Sequence, residues 1–281
     1  MAEPIETATL AWRRDLSDTL GFFRFELQGG IPDYLPGQFI TLGGTRPAED
    51  GKALWRAYSI ASPPSEKRWL ELYIRMPMAP VPGAFTSQLW EIPVGGTLPH
   101  RGITGPFTIE ERKPDGSPDL RTLLCIAGGT GIAPFIAYAL ELKKRAAPRR
   151  MVIVHGASHV HELGYDELLR SLEDETRDAP ESAFRLRYFP TISRPQDAHN
   201  AGWRGLCGRA ESLVIPPEEG GRSRLESMLG EDVTPEGWFC HACGYEGTVK
   251  AAQTVLEPRG FVSRRNRRPD RSFDLKVESY G

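Results

Sequence analysis

Arg56-Ala57-Tyr58-Ser59 sets a guanidinium, a phenol and a hydroxyl in a short row. In an extended segment Arg56 and Tyr58 point to one face and Ser59 to the other. A guanidinium can grip a phosphate through two parallel hydrogen bonds, a phenol ring can cover a planar heterocycle, and a serine hydroxyl can donate to a ring nitrogen, which together are what a flavin nucleotide needs. Taken without their neighbours, the same residues would suit a surface strand with a half-buried tyrosine. Downstream, Gly83-Ala84-Phe85-Thr86-Ser87 places a glycine and two hydroxyls where a helix can start. Backbone N–H groups with Thr86 or Ser87 could meet a phosphate there, or simply form an N-cap. A second constellation is Gly128-Gly129-Thr130-Gly131-Ile132-Ala133-Pro134, which follows the apolar run Thr122–Ala127 and precedes a helical stretch through Leu142. Strand, glycine turn and helix make a nucleotide-binding start, because the turn admits phosphates to the backbone and the helix end adds donors and a favourable dipole. The strict GxGxxG pattern fails, since Pro134 stands where the third glycine would be.

In this order the motifs resemble the ferredoxin-NADP reductase family, in its bacterial ferredoxin/flavodoxin-NADP reductase form. That family carries an Arg-x-Tyr-Ser strand at the flavin, a Gly-x-x-Thr/Ser stretch at the flavin pyrophosphate, and a Gly-Gly-Thr-Gly-Ile-Ala-Pro loop facing the nicotinamide nucleotide. The resemblance implies that Arg56, Ala57, Tyr58, Ser59, Gly83, Thr86 and Ser87 bind FAD, and that Gly129, Thr130 and Gly131 bind NADP, with NAD as the alternative. Thr191-Ile192-Ser193-Arg194, expected just after a strand, resembles a family stretch at the adenosine end of the nucleotide, where Arg194 could bind a 2'-phosphate. Arg209, in Gly208-Arg209, resembles a Gly-Arg pair that starts the next helix. Cys243, before Gly244, matches a cysteine beside nicotinamide C4 and flavin N5, and Tyr280, with Phe273 second, is the candidate for a terminal aromatic that covers the flavin.

The implied reaction is hydride passage from nicotinamide C4 to flavin N5, with Ser59 near N5, Cys243 beside the path and Tyr280 displaced by the incoming ring. Single electrons would then leave for ferredoxin or flavodoxin. Cys243 is not expected to be a nucleophile, because hydride transfer between cofactors needs alignment and no covalent protein intermediate. One departure concerns NADP. Similar bacterial members have an Arg two residues after the His-Gly pair, where this chain has Ala157-Ser158 after His155-Gly156. Arg194, Arg204 or Arg209 could supply the missing charge. Two other readings stay open: an NADH-dependent reductase serving an oxygenase or a cytochrome, and a non-enzymatic flavin-binding redox sensor.

The elements that must position these residues change character along the chain. Residues 5–110 read as short strands broken by Pro and Gly, with Phe23, Phe25 and Leu27 alternating against Arg24 and Glu26, and Leu70, Leu72 and Ile74 against Glu71, Tyr73 and Arg75. That is the pattern of an antiparallel barrel. Lys113–Asp119 is polar, rich in Pro and Gly, and is the best linker candidate. Beyond it, apolar runs at 122–127, 151–156, 184–189 and 238–243 alternate with helical stretches, as in a parallel sheet. The expected fold class is therefore α/β plus all-β: an N-terminal antiparallel flavin-binding β-barrel (1–118) and a C-terminal doubly wound parallel α/β nucleotide-binding domain with its tail (119–281). Residues 216–236 read as a loop-and-helix insertion without a role.

Composition agrees with a globular protein of two domains: 281 residues, 40% hydrophobic, which is ample core material. A formal net charge of -2 argues against nucleic acid as a partner. The basic run Arg264–Arg268 is the exception, and could steer an acidic electron carrier. No apolar run reaches the ~18 residues of a membrane span, and the first residues lack the pattern of a secretory signal, so a cytoplasmic protein without a membrane partner is expected. The four cysteines are too sparse for a disulfide framework. Cys240 and Cys243 form a CxxC without a second pair to complete a zinc site, and on a strand they face opposite ways. No metal is expected.

Overall fold

The computed structural model describes residues 6–47, 51–78, 84–217 and 221–280. Gly83, assigned to FAD from sequence, lies outside the described residues. The chain forms two compact units, residues 1–108 with 133–141, and residues 109–132 with 142–281.

The first unit holds six strands: β1 (Thr7–Ser17), β2 (Leu20–Leu27), β3 (Phe39–Gly43), β4 (Trp55–Ser59), β5 (Leu70–Arg75) and β6 (Thr97–Thr104). Their spatial order is β4-β3-β6-β1-β2-β5, and every pairing is antiparallel. An antiparallel bridge between Ile60 and Leu72, with the Ala61 N–H donating to the Glu71 carbonyl at 2.8 Å, joins the two outer strands and closes the sheet into a barrel. Closure removes free edges and leaves one face of each strand for the core. Phe23, Phe25, Ile40, Leu42, Leu70 and Leu72 fill it, as the period-two pattern requires. Tyr73 keeps to the face opposite Leu70, Leu72 and Ile74, and it is buried there because its cross-strand neighbour Phe22 stacks on it at 4.8 Å. One helix, α1 (Ala84–Glu91), packs Phe85 and Leu89 into the same core.

In the second unit the strands are β7 (Thr122–Gly128), β8 (Arg150–Ala157), β9 (Arg185–Ile192), β10 (Leu206–Cys207), β11 (Trp238–Gly244) and β12 (Leu275–Ser279). All are parallel and lie in the order β10-β9-β8-β7-β11-β12. From β7 the chain winds outward through β8, β9 and β10, then returns to the other side of β7 as β11 and β12. That is the doubly wound parallel sheet expected from sequence, and its central strands β7, β8 and β11 are buried almost throughout, as sheets covered on both faces are. The helices are α2 (Ala133–Lys144), α3 (Asp166–Thr176), α4 (Arg224–Leu229) and α5 (Glu246–Leu256), with residues 133–141 of α2 grouped with the first unit.

Near the start of β7 the polar network is dense. The Arg121 guanidinium pairs with Asp119 at 2.6 Å and with Asp274 at 2.7 Å, and Arg268 reaches the other Asp274 oxygen at 2.6 Å. Arg268, counted from sequence in the steering run, is therefore an internal partner, whereas Arg264, Arg265 and Arg267 are exposed. Among the described residues no helix is long and apolar enough to cross a membrane.

Candidate active site

In the barrel, β4 pairs along β3 in the register Leu42 to Arg56, Ile40 to Tyr58 and Phe39 to Ser59. The strand faces the core on one side only, so Arg56 and Ala57 stay exposed while Tyr58 and Ser59 are half-buried. The Tyr58 hydroxyl shares a 3.2 Å hydrogen bond with Thr86 Oγ1 on the first turn of α1. Burial pushes the Tyr58 phenol up to about 12, so it stays protonated at neutral pH and keeps its ring as an uncharged platform. The Arg56 guanidinium donates to the Trp55 carbonyl at 2.9 Å and is otherwise directed to solvent, with donors left for an anion. Arg56, Tyr58, Ser59 and Thr86 are thus gathered on one strand and one helix end. Ser87 is half-buried on the same turn.

What brings α1 to that strand was missed in the sequence. Gln88, buried, accepts from the Arg46 N–H at 2.9 Å and donates to the Arg46 carbonyl at 3.1 Å. A side-chain amide that satisfies both backbone groups of one residue acts as a short strand pair, and it holds α1 against the loop after β3. A lone Gln in a helical stretch carries no such signal.

The second group lies where the winding of the parallel sheet reverses, between β7 and β11. Loops diverge from the carboxyl ends of the strands at such a switch point and leave a crevice for ligands. Gly128, Gly129, Thr130 and Gly131 leave β7 there, opposite Cys243 and Gly244 at the end of β11. Gly129 has a φ of 55°, in the left-handed region, and a Cβ on Gly131 would stand 2.2 Å from the Cys243 carbonyl oxygen. Only glycine lets the two chain segments approach this closely. Tyr280 closes the group: its hydroxyl donates to the Gly128 carbonyl at 2.8 Å and accepts from Thr130 Oγ1 at 3.1 Å, and its N–H reaches the Gly244 carbonyl at 3.2 Å.

Two buried groups support this loop, and a desolvated carboxyl lies nearby. Cys243 is fully buried, and desolvation drives its thiol well above the ordinary value, so it is a thiol and no nucleophile. His155 Nε2 donates to the Gly129 carbonyl at 2.9 Å and its Nδ1 faces the Tyr188 hydroxyl at 3.4 Å. Burial pushes that imidazole down to about 4, which keeps it neutral in this tautomer. His155 carries no assignment from sequence, and its place is that of a support for the glycine turn. Glu278, beside Cys243 in the β11–β12 register, is raised to about 7 by burial, and its Oε2 has no hydrogen-bond partner.

The third group sits at the ends of β8, β9 and β10. Thr191 and Ile192 belong to β9 itself, so Ser193 and Arg194 come directly off the strand end, both exposed. Arg209 does not start an α-helix: it precedes a single 3-10 turn, Ala210–Leu213, which Pro216 and Pro217 do not allow to continue. Gly208 is tied back to β9 by its N–H to the Ile192 carbonyl and by Thr191 Oγ1 to its own carbonyl, both 2.9 Å, so Arg209 leaves the same edge as Arg194. Asn200, nearly fully buried, fastens this edge to the loop after β8. Its amide donates to the carbonyls of Ser158 (3.2 Å) and Arg194 (2.8 Å) and accepts from the Val160 N–H (2.9 Å). Cys240 and Cys243 are free thiols on β11, as the strand geometry requires.

Two family models match the chain: an oxidoreductase FAD-binding domain over residues 7–109 and an oxidoreductase NAD-binding domain over residues 125–253. Ferredoxin-NADP reductase A of Sorangium cellulosum is 34% identical over 80% of this chain and 73% of its own length. The chain belongs to the ferredoxin-NADP reductase family. Within this family the ferredoxin-NADP reductase of Pseudomonas aeruginosa is 29% identical over 87% of this chain and 86% of its own. The reductase component 2 of terephthalate 1,2-dioxygenase from Comamonas is 37% identical over 76% of this chain, which spans 54% of that protein. A crystal structure of a ferredoxin NADP+ reductase from Neisseria gonorrhoeae with bound FAD and NADP shares the fold, with a TM-score of 0.73 at 23% identity over 99% of both chains. As an FAD- and NAD(P)-binding oxidoreductase of the ferredoxin-NADP reductase family, the protein has the class of activity expected from its motifs.

Proposed function

We propose that the protein passes a hydride between NADP(H) and FAD and single electrons between FAD and ferredoxin or flavodoxin, with residues 1–118 holding FAD and residues 119–281 the nucleotide. The observation that carries this reading is the switch point, where Gly131 is packed so tightly against Cys243 that no side chain fits, so the glycine turn lies at the end of β11, where a doubly wound sheet takes a dinucleotide. The residues fit the cofactors. Tyr58 offers a neutral ring face, Ser59 a hydroxyl, Arg56 a free guanidinium fork, and Thr86 with Ser87 the hydroxyls of a helix start. Bound FAD supplies the exchange of two-electron for one-electron transfer that amino acids lack.

Within this proposal Arg56 and Thr86 bind the flavin pyrophosphate, Tyr58 covers one ring face, and Ser59 orients the ring edge. Gly129, Thr130 and Gly131 bind the nucleotide pyrophosphate, while Ser193, Arg194 and Arg209 take the adenosine end. Cys243, uncharged and without room to move, shapes the approach of the nicotinamide. Tyr280 is held by Gly128 and Thr130, so its displacement by nicotinamide would break those bonds and set part of the cost of entry.

A second reading, an NADH-linked reductase for an oxygenase, is favoured by the absence of a cation at Ala157-Ser158 and by the 37% identity with the terephthalate dioxygenase reductase. Anaerobic titration of the flavin absorbance with NADPH and with NADH separates the two. Bleaching at far lower NADPH supports the first reading, lost in Arg194→Ala; preference for NADH supports the second. A flavin that neither nucleotide bleaches would overturn both.

A further inference from the structure

Immediately after β8 the chain reads Ser158-His159-Val160-His161-Glu162, and none of these five has a role in the flavin reading beyond the missing cation at Ser158. The 3-10 turn Val160–Glu162 folds His159, His161 and Glu162 together, so that one ligand atom of each lies within 4.8 Å of the others. We propose that these three side chains bind one divalent first-row transition ion, Zn2+ foremost, in a site separate from the flavin and nucleotide machinery and independent of that reading.

The site is already organised around its donors. Glu162 Oε2 accepts the N–H groups of Ser158 (2.9 Å) and His159 (3.2 Å), which fixes the carboxylate and turns Oε1 toward the imidazole. His159 Nδ1 stands 3.4 Å from that Oε1, is buried, and makes no hydrogen bond. A buried ring nitrogen without a partner costs free energy, and a cation between it and the carboxylate would remove the cost. The opposite nitrogen, His159 Nε2, stands 3.2 Å from Asp197 Oδ2. Metal-binding histidines characteristically give their second ring N–H to a carboxylate, which sets the tautomer and strengthens the ligand. Asp197 is itself held by the backbone N–H and Nδ1 of His199, at 2.9 and 2.8 Å.

His161 supplies the third donor. Its ring stacks on His159 with centroids 5.4 Å apart, and it is exposed, so it can turn inward. Donors around tetrahedral zinc sit ~3.4 Å from one another, and rotation of this one side chain brings the set toward that spacing. His199, with centroids 6.0 and 6.5 Å from His159 and His161, borders the remaining open position. The groups facing the ion would thus be two imidazoles and one carboxylate, with His199 at the border, a nitrogen and oxygen set suited to zinc and poorly suited to magnesium or calcium.

The test is calorimetric titration of Zn2+ into the flavin-loaded protein after removal of divalent ions, with His161→Ala and, because Cys207 is an exposed thiol that could compete, Cys207→Ser. One equivalent should bind, His161→Ala should weaken it by ~10–100-fold, and Cys207→Ser should leave it unchanged. Binding as tight in His161→Ala as in the parent, binding lost in Cys207→Ser, or no bound equivalent in the parent would each overturn the proposal. His161 is at the surface, so its removal leaves the fold intact and the comparison interpretable.

Discussion

Glu278→Gln removes a carboxyl group that sits beside Cys243 at the end of the parallel sheet. Burial raises this group from 4.5 to about 7. Between those values the folded protein keeps a proton that the unfolded chain has released, so stability falls as pH rises through the window and the loss is complete above pH 7. The separation from 4.5 to about 7 corresponds to ~3 kcal/mol. His155 works in the opposite sense. Its imidazole is pushed from 6.5 to about 4, so the unfolded chain takes up a proton first and stability falls as pH drops from 6.5 toward 4. In the wild-type protein the two slopes offset each other between about pH 4.5 and 6.5. The variant loses one of them. Urea unfolding of the flavin-loaded protein from pH 4.5 to 8 should therefore show Glu278→Gln gaining on the wild type by ~3 kcal/mol as pH rises, with the stability of the variant climbing steeply to pH 6.5. Curves that run parallel over that range would refute the burial argument for Glu278.

Three other substitutions have defined outcomes. Gly131→Ala places a Cβ 2.2 Å from the Cys243 carbonyl oxygen, so it should destabilise by ~1–3 kcal/mol in thermal or urea unfolding and weaken nucleotide binding measured by flavin bleaching; a neutral result would remove the close-approach argument. Gln88→Ala strips the Arg46 N–H and carbonyl of their partner, with an expected loss of ~1–3 kcal/mol and weaker FAD retention on dialysis; unchanged retention would mean that α1 is held by other contacts. Reversing charge at Arg264 and Arg265 should slow reduction of an acidic carrier protein at low salt and spare a small neutral dye, since steering is screened within about 10 Å at 0.1 M salt. Equal rates with both acceptors would end the steering idea.

The motifs that named the family were legible because each is short, contiguous and carried by backbone conformation. Arg56 to Ser59 alternate on one strand, and Gly128 to Pro134 sit on one strand-turn-helix junction, so their geometry follows from local rules. The parallel, doubly wound sheet was legible too, since buried apolar runs alternating with helical stretches leave few other arrangements. Tyr73 follows the alternation, but its burial was not legible, because alternation says nothing about an aromatic on the neighbouring strand, here Phe22. Arg209 was expected at a helix start, and the two prolines that limit it to one 3-10 turn lie seven and eight residues further on, beyond a local reading of Gly-Arg.

Gln88, Asn200, Glu278 and the histidine cluster belong to another kind of information. Each works through a partner far away in the chain: Gln88 through Arg46, Asn200 through Ser158, Glu278 through Cys243, His159 through Asp197. A hydrogen bond or a desolvated carboxyl depends on which groups end up within about 3 Å and on how much water is excluded, and residue types along a chain leave both open. The amino-acid sequence determined the two kinds of sheet, the order of the binding motifs and the family. The tertiary structure alone decided which polar side chains hold those motifs in place, which titratable groups lose their water, and where three histidines come together, because those outcomes depend on distances that exist only once the chain has folded.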